Sequence, residues 1–356
     1  MNGIFLHSCW RSSGTWLWEK LRTQPQHLGF YEPLHEFLPS MTSPQIDSLH
    51  SAGWRSRHPR MSRPYFAEYA PLLKENGILR QRKGVAGAQT QFSFDQFFMN
   101  ARQPHERLYS YINRLCDTAY AAGRLPVMKF ARSQGRLGWF ARHFPQHTHA
   151  LLIRQPWSKF RSAWRCLVED GNPYFMAAPF MVLERNAHEP AVAALIRAFD
   201  LPVGEGCFGP RGVNAWMRKA RRLEPRTLYR AMLALWLLNT ANALPAAALV
   251  LNADDPPEAL ASAFGLALAP EPPRPAATLH ARPLLLLSEI RASHDTARAA
   301  IAPHIDPALR AQLESWLAAA EAEAANDLAP GRAIPTLARA PTLLCRVAKR
   351  LTRLNI

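Results

Sequence analysis

Short apolar runs alternate with stretches of helical periodicity along most of this 356-residue chain. Gly3-Ile-Phe-Leu-His7, Pro126-Val-Met-Lys-Phe130, His149-Ala-Leu-Leu-Ile153 and Ala247-Ala-Leu-Val-Leu-Asn252 read as buried strands. Between them the pattern predicts helices from near Thr15, over His105–Ala122, over Arg136–Phe144, from Pro156 to about Leu167, and over Arg226–Leu244. In the last of these, Leu228, Met232, Leu235 and Trp236 recur at helical spacing. Strand and helix in alternation predict an α/β fold with a central, mainly parallel sheet flanked by helices.

Two regions break the alternation. Residues 38–98 mix Pro, Gly, Arg and aromatics (Trp54, Tyr65, Phe66, Tyr69), and only Tyr65–Glu75 reads as helical. Irregular insertions of this length are commonly functional lids or mobile segments. From Leu268 to Pro283 the chain is Pro- and Ala-rich, as a linker or crossing segment is. Pro307–Asp327 then reads as a long Ala- and Glu-rich helix. Pro341–Ile356 reads as a basic amphipathic one, with Leu344, Val347, Leu351 and Leu354 opposed to Arg346, Lys349, Arg350 and Arg353. That tail either docks on its own domain or lies on an acidic membrane surface as a peripheral contact. The organisation expected is an α/β domain over 1–267, followed by a linker and helical extension over 268–356.

The candidate chemistry begins after the first strand. Arg11-Ser12-Ser13-Gly14-Thr15-Trp16 joins strand to helix through small and hydroxylated residues. A strand, tight loop and helix N-terminus aim backbone N–H groups and a positive dipole end at one spot, which suits phosphate or sulfate. Arg11 adds a cationic fork. The triphosphatase pattern G-x-x-x-x-G-K-[ST] is absent, since Thr15 follows Gly14 and the cation precedes the glycine. The alternative is a plain turn whose Ser and Thr cap the helix. A second segment favours the anion site: Arg154 ends a strand, Pro156 suits a first helical turn, and Ser162 lies about two turns into that helix.

These residues resemble the sulfotransferases that use 3′-phosphoadenosine 5′-phosphosulfate (PAPS). Arg11, Ser12, Thr15 and Trp16 match that family's 5′-phosphosulfate loop; Arg154, Pro156 and Ser162 match its 3′-phosphate motif. The family's loop glycine is Ser13 here, with Gly14 one place later. The resemblance covers about Gly3 to Leu266, with gaps, and implies a three-layer P-loop-type fold and sulfuryl transfer to a hydroxyl, without a metal. Carbohydrates and lipid-linked metabolites are the acceptors expected, and the resemblance assigns residues 38–98, whose counterpart often helps form the family's acceptor pocket, to substrate contact as an acceptor-binding lid. It implies that Ser12, Ser13, Gly14, Thr15 and Trp16 hold the 5′-phosphate, that Arg11 offsets leaving-group charge, and that Arg154 and Ser162 hold the 3′-phosphate. Lys129 matches the strand-end lysine of the small-molecule branch, but the histidine expected two places on is Ala131. The tyrosylprotein and heparan-type branches use a glutamate near the start of the second strand, which Glu32 matches, 21 positions after Arg11. Glu32 is therefore the expected base, or else an acid paired with an arginine. His35 and Glu36 stand in reserve, and Lys129 and Arg132 are candidate sulfate or acceptor contacts. Asp254 and Asp255 read as caps of a following helix. Trp10 and Trp16 either stack on a ligand or pack.

Composition narrows the alternatives. Forty-three Lys and Arg against 27 Asp and Glu give a net charge of +16, which suits anionic partners. The cations are scattered over Arg55–Arg63, Arg80–Lys83, Arg218–Arg222 and Arg346–Arg353, and no nucleic-acid-binding motif accompanies them. Nucleic acid is thus not an expected partner. Five cysteines without a C-x-x-C pair suit free thiols, not a metal site or disulfide frame. No signal peptide or membrane span is legible, so the cytoplasm is the expected compartment. A P-loop nucleotide kinase, or a non-catalytic basic protein binding anions or nucleic acid, remains as the competing reading.

Overall fold

The computed structural model describes residues 2–49, 55–75, 82–204, 209–268 and 285–329. Its strands are β1 (Ile4–Ser8), β2 (His27–Tyr31), β3 (Leu73–Glu75), β4 (Arg82–Val85), β5 (Leu125–Phe130), β6 (Thr148–Ile153) and β7 (Leu249–Asn252). The helices are α1 (Gly14–Arg22), α2 (Ser43–Ser48), α3 (Gln91–Phe94), α4 (Glu106–Ala121), α5 (Leu137–His143), α6 (Pro156–Val168) and α7 (Tyr174–Arg185). They continue as α8 (Pro190–Phe199), α9 (Gly209–Ala220), α10 (Pro225–Ala243), α11 (Pro257–Ser262), α12 (Leu287–Ile301) and α13 (Pro307–Leu328).

Five strands form one all-parallel sheet in the order β2-β5-β1-β6-β7, flanked by helices. β1 and β6 are mostly apolar runs buried on both faces, as inner strands of a parallel sheet are, while Val250 of the edge strand β7 is exposed. Successive residues of β6 feed two different cores. Ala150 and Leu152 join one built on β1, β2 and β5 with α1, α4 and α5; Leu151 and Ile153 join another with α6, α7, α8 and α10. The described part of the C-terminal region joins this second core through Ile290, Ala297, Leu313 and Leu317. Carboxylates of α13 also grip α6: Glu323 accepts from Gln155 and Ser158, and Asp327 accepts from Trp157 Nε1 at 2.8 Å and Arg161 at 2.5 Å. The basic tail 341–356 and nearly all of the Pro-rich stretch lie outside the described residues.

The chain runs from β1 outward to β2, returns through β5 to β1's side, then crosses to β6 and β7 on the other. The order of travel reverses around β1, and such switch points open a crevice at the carboxyl ends of parallel strands. The loop after β1 sits there.

Inside the insertion, the helix expected over Tyr65–Glu75 is instead a 3-10 segment, Ala67–Leu72, leading into β3. Pro71 explains the difference, because proline removes a helical donor and crowds the preceding turn. Tyr65, Phe66 and Tyr69 are still buried, so the insertion has its own apolar anchor.

Beneath the sheet's centre runs a chain of neutral polar groups. His149 Nε2 donates to the Phe144 carbonyl at 3.0 Å, which leaves its Nδ1 bare to accept from His7 Nε2, also at 3.0 Å. His7 Nδ1 then accepts from the Ser133 hydroxyl at 2.7 Å. Burial, and for His7 the neighbouring His149, push both imidazoles below their ordinary value. No helix among the described residues is long and apolar enough to cross a membrane. Cys9, Cys116 and Cys166 are buried free thiols; Cys207 and Cys345 lie outside the described residues.

Candidate functional site

The loop after β1 turns sharply. Arg11 and Ser13 both take left-handed backbone conformations, with φ of 65° and 56°. Ser13 is the N-cap of α1, yet its side chain makes no cap bond; its carbonyl takes the Trp16 and Leu17 N–H groups. A capping role for Ser13 does not account for the loop. Ser13 thus fills the left-handed position usual for glycine, while the glycine is needed one place on. A Cβ on Gly14 would lie 2.4 Å from Ser8 Oγ and 2.9 Å from Ser8 Cβ. Gly14 lets the first turn of α1 settle on β1, beside a cavity that Gly14, Thr15 and Trp16 line. Gly14→Ala should therefore destabilise the protein by about 1–3 kcal/mol through overpacking, read by urea unfolding. A neutral substitution would mean the loop is not held against Ser8.

The loop after β1 and the segment from Arg154 to Ser162 meet through their arginines. Arg11 Nε donates to Ser162 Oγ at 3.0 Å, and its Nη1 donates to the Ser56 carbonyl at 2.5 Å. Its guanidinium lies 4.8 Å over the Phe175 ring. Arg154 Nη1 donates to the Arg11 carbonyl at 3.2 Å, and its Nε pairs with Asp254 at 2.9 Å. Asp254 is therefore not a helix cap. Helix α11 begins at the Pro256 cap without a side-chain bond, and the nearby Arg154 claims the carboxylate.

Glu32 lies just past the end of β2, not near the start of a strand, with φ of 46°. Its carboxylate accepts from three donors: Lys129 Nζ, the Ala131 N–H at 2.9 Å and Arg132 Nη1 at 3.0 Å. Arg132 reaches on to Glu36 at 2.5 Å and to the Tyr174 hydroxyl at 2.6 Å, and that hydroxyl donates to Glu36 at 2.9 Å. Burial alone would raise the Glu32 and Glu36 carboxyls, but Lys129 and Arg132 outweigh it for Glu32, and Arg132 chiefly for Glu36. Both are held below the usual carboxylate range. His35, buried beside them, drops to about 4 despite Glu36. Glu32 so held is a weak proton acceptor unless a donor leaves.

One cavity of about 510 Å³ gathers all of these groups. Every site residue expected from the sequence lines it: Arg11 through Trp16, Glu32, Lys129, Arg154 and Ser162. Five cationic side chains and two carboxylates face it, an excess that favours an anion. Among the described residues, four of the seven non-glycine positions with left-handed backbone (Arg11, Ser13, Glu32 and Arg57) also line it. Such conformations cost about 1–3 kcal/mol each and concentrate at functional sites. Among the described residues no three of His, Cys, Asp and Glu converge as metal ligands do.

No family model, curated protein or solved structure matches this chain. The site therefore stands on its own geometry.

Several lining residues carried no sequence signal. His58 arrives from the insertion, Tyr174 and Phe175 from the start of α7, and Val213 and Met217 from α9. Apolar and hydroxyl side chains of these types occur everywhere, and only packing puts them here. Trp10 and Trp16 also line the cavity but are 7 % and 6 % exposed, and Arg132 stacks 5.3 Å over Trp10, so both mainly pack. His7 belongs to the buried chain under the sheet.

Proposed function

We propose that this protein transfers a sulfuryl group from PAPS to a hydroxyl acceptor. One observation carries the reading. Two motifs far apart in sequence, with Lys129 and Glu32 from two further strand ends, converge on a single cation-rich cavity at the sheet's switch point. In this reading the first turn of α1 and Ser12–Thr15 hold the 5′-phosphate end. Arg154 and Ser162 recognise the 3′-phosphate, which separates PAPS from ordinary adenylates. Sulfuryl transfer needs alignment and charge stabilisation more than covalent help, as phosphoryl transfer does. Arg11 and Lys129 offset the charge that grows on the departing 5′-phosphate. Glu32 fixes Lys129 and Arg132 in that orientation. The acceptor, a carbohydrate or lipid-linked metabolite in this reading, approaches past the half-exposed Phe37 and the Tyr174, Val213 and Met217 wall.

Thermal unfolding with adenosine 3′,5′-bisphosphate, 5′-AMP and ATP–Mg²⁺ tests the reading. At about 100 times its Kd the bisphosphate should add roughly 2.7 kcal/mol, 5′-AMP far less, and Arg154→Ala should erase the difference. Stabilisation by ATP–Mg²⁺ alone would point to a nucleotide kinase. No shift with any nucleotide would leave a basic binding protein.

A further inference from the structure

Sulfuryl transfer to a hydroxyl needs a group to take the hydroxyl proton, and Glu32 already accepts from three donors. The position two places after Lys129 is Ala131, which has no titratable atom. We propose that the proton acceptor is His58, delivered by the irregular insertion to the rim of the same cavity; this rests on the sulfotransferase reading above.

His58 lines the main cavity and also an adjoining one of about 640 Å³, walled by Trp16, Lys20 and Arg60. Its Nδ1 lies 2.8 Å from the hydroxyl of Tyr65, a fully buried side chain that anchors the insertion on Tyr31 at 4.7 Å between ring centroids. Tyr31 in turn reaches Thr15 of the anion loop, 3.2 Å between oxygens. The imidazole is thus fixed to the cradle through two buried tyrosines. Its Nε2 has no hydrogen-bond partner among the described residues. In the tautomer whose Nδ1–H donates to the Tyr65 oxygen, Nε2 keeps the lone pair that a base needs.

The charged groups that act on His58 are Arg11, from the loop after β1, and Lys129, from β5; Tyr65 is its uncharged partner. Burial first, then these two cations, push the imidazole well below its ordinary value, so it is neutral before the donor arrives. An anionic donor offsets Arg11 and Lys129, which brings the imidazole back toward its ordinary value of about 6.5 when the reaction needs it. In the step itself the acceptor oxygen bonds to sulfur as the bridging S–O bond breaks. The bonding pair leaves with adenosine 3′,5′-bisphosphate, the hydroxyl proton passes to His58 Nε2, and the imidazolium then loses it to water.

The test uses water as acceptor and the full-length protein. PAPS hydrolysis to sulfate and the bisphosphate is followed in wild type, His58→Gln and Glu32→Gln, beside thermal stabilisation by the bisphosphate. His58→Gln should keep that stabilisation, hydrolyse PAPS about 100-fold more slowly, and lose the acid limb of the rate–pH profile. On the wild-type protein, NMR titration of the His58 ring should show its midpoint rising when the bisphosphate binds. A rate within about threefold of wild type with binding intact, or a midpoint that the bisphosphate does not move, overturns His58 as the base. If the wild type is not stabilised by the bisphosphate at all, the donor-site reading fails, and this inference falls with it.

Discussion

Arg132→Met should cost about 3–5 kcal/mol of stability, among the largest losses any single substitution in this chain can produce. The reason lies in what stays behind. Arg132 is 1 % exposed and holds Glu32 at 3.0 Å and Glu36 at 2.5 Å, carboxylates that are themselves almost fully buried. Glu32 would keep Lys129 and the Ala131 N–H, but Glu36 would lose Arg132 and keep the Tyr174 hydroxyl, its own backbone N–H and the weak neighbour His35, 3.4 Å away. An uncompensated buried carboxylate either pays its desolvation or takes up a proton, and both weaken the native state. The loss should therefore belong mostly to Glu36. Adding Glu36→Gln to the Arg132→Met variant should recover a large part of it, with a coupling energy of at least about 1 kcal/mol in the double-mutant cycle. Urea unfolding at pH 7.5 gives all four corners. A loss below about 1 kcal/mol for Arg132→Met would show that water reaches the network.

Acidification should act on a comparable scale. Burial first, with weaker neighbouring effects, holds His7, His35, His58, His147 and His149 below their ordinary value in the folded state. A histidine of this kind binds its proton more readily when the chain unfolds. Its contribution is fully present above the unfolded value near 6.5 and drains away as pH falls toward the folded one. His35 and His147 sit at about 4 when folded, which amounts to roughly 3 kcal/mol apiece by pH 4. His7 and His149 add to this, because a proton on either breaks the donor order that runs from Ser133 to Phe144. Glu32 and Glu36 follow the same direction lower down, their contribution present above about 4.5 and lost below it. Unfolding free energy measured from pH 7.5 to 4.5 should fall steadily below 6.5, and His147→Phe, which keeps the stacking on Phe5, should flatten part of the slope. A stability that is level over that range would mean these imidazoles open to water.

Four strands of the five-stranded sheet were legible in the sequence because a buried apolar run leaves a local mark; β2, where His27 and Gly29 interrupt the run, was not. Ile4-Phe-Leu-His-Ser8 and His149-Ala-Leu-Leu-Ile153 need no partner to be recognised. The residues gathered around the cavity were legible for a related reason. Arg11, Gly14, Arg154 and Ser162 stand at strand ends or in early helical turns, where position along the chain fixes position in space. Asp254 failed that logic, since its place before a helix suggested a cap but the nearer charge of Arg154 decided its bond. Tyr174 reaches the cavity through a hydrogen bond to Glu36, far away in sequence, and His58 through the packing of the insertion, and no spacing announces either. The hairpin of β3 and β4 was also hidden: strands of three and four residues with an irregular register leave too short a pattern.

The place of β1 in the sheet has a consequence for biosynthesis. Its five residues are buried and bond to β5 on one side and β6 on the other. β1 ends at residue 8, and β5 does not begin until residue 125. At ribosomal rates of about 5–20 residues per second, the strand that will hold the sheet together waits roughly 6–25 seconds with both edges bare. During that interval Ile4, Phe5 and Leu6 are bare apolar residues of a nascent chain whose proper neighbours have yet to be made. The segment that carries the cradle is thus also the one most in need of shelter while the rest is translated.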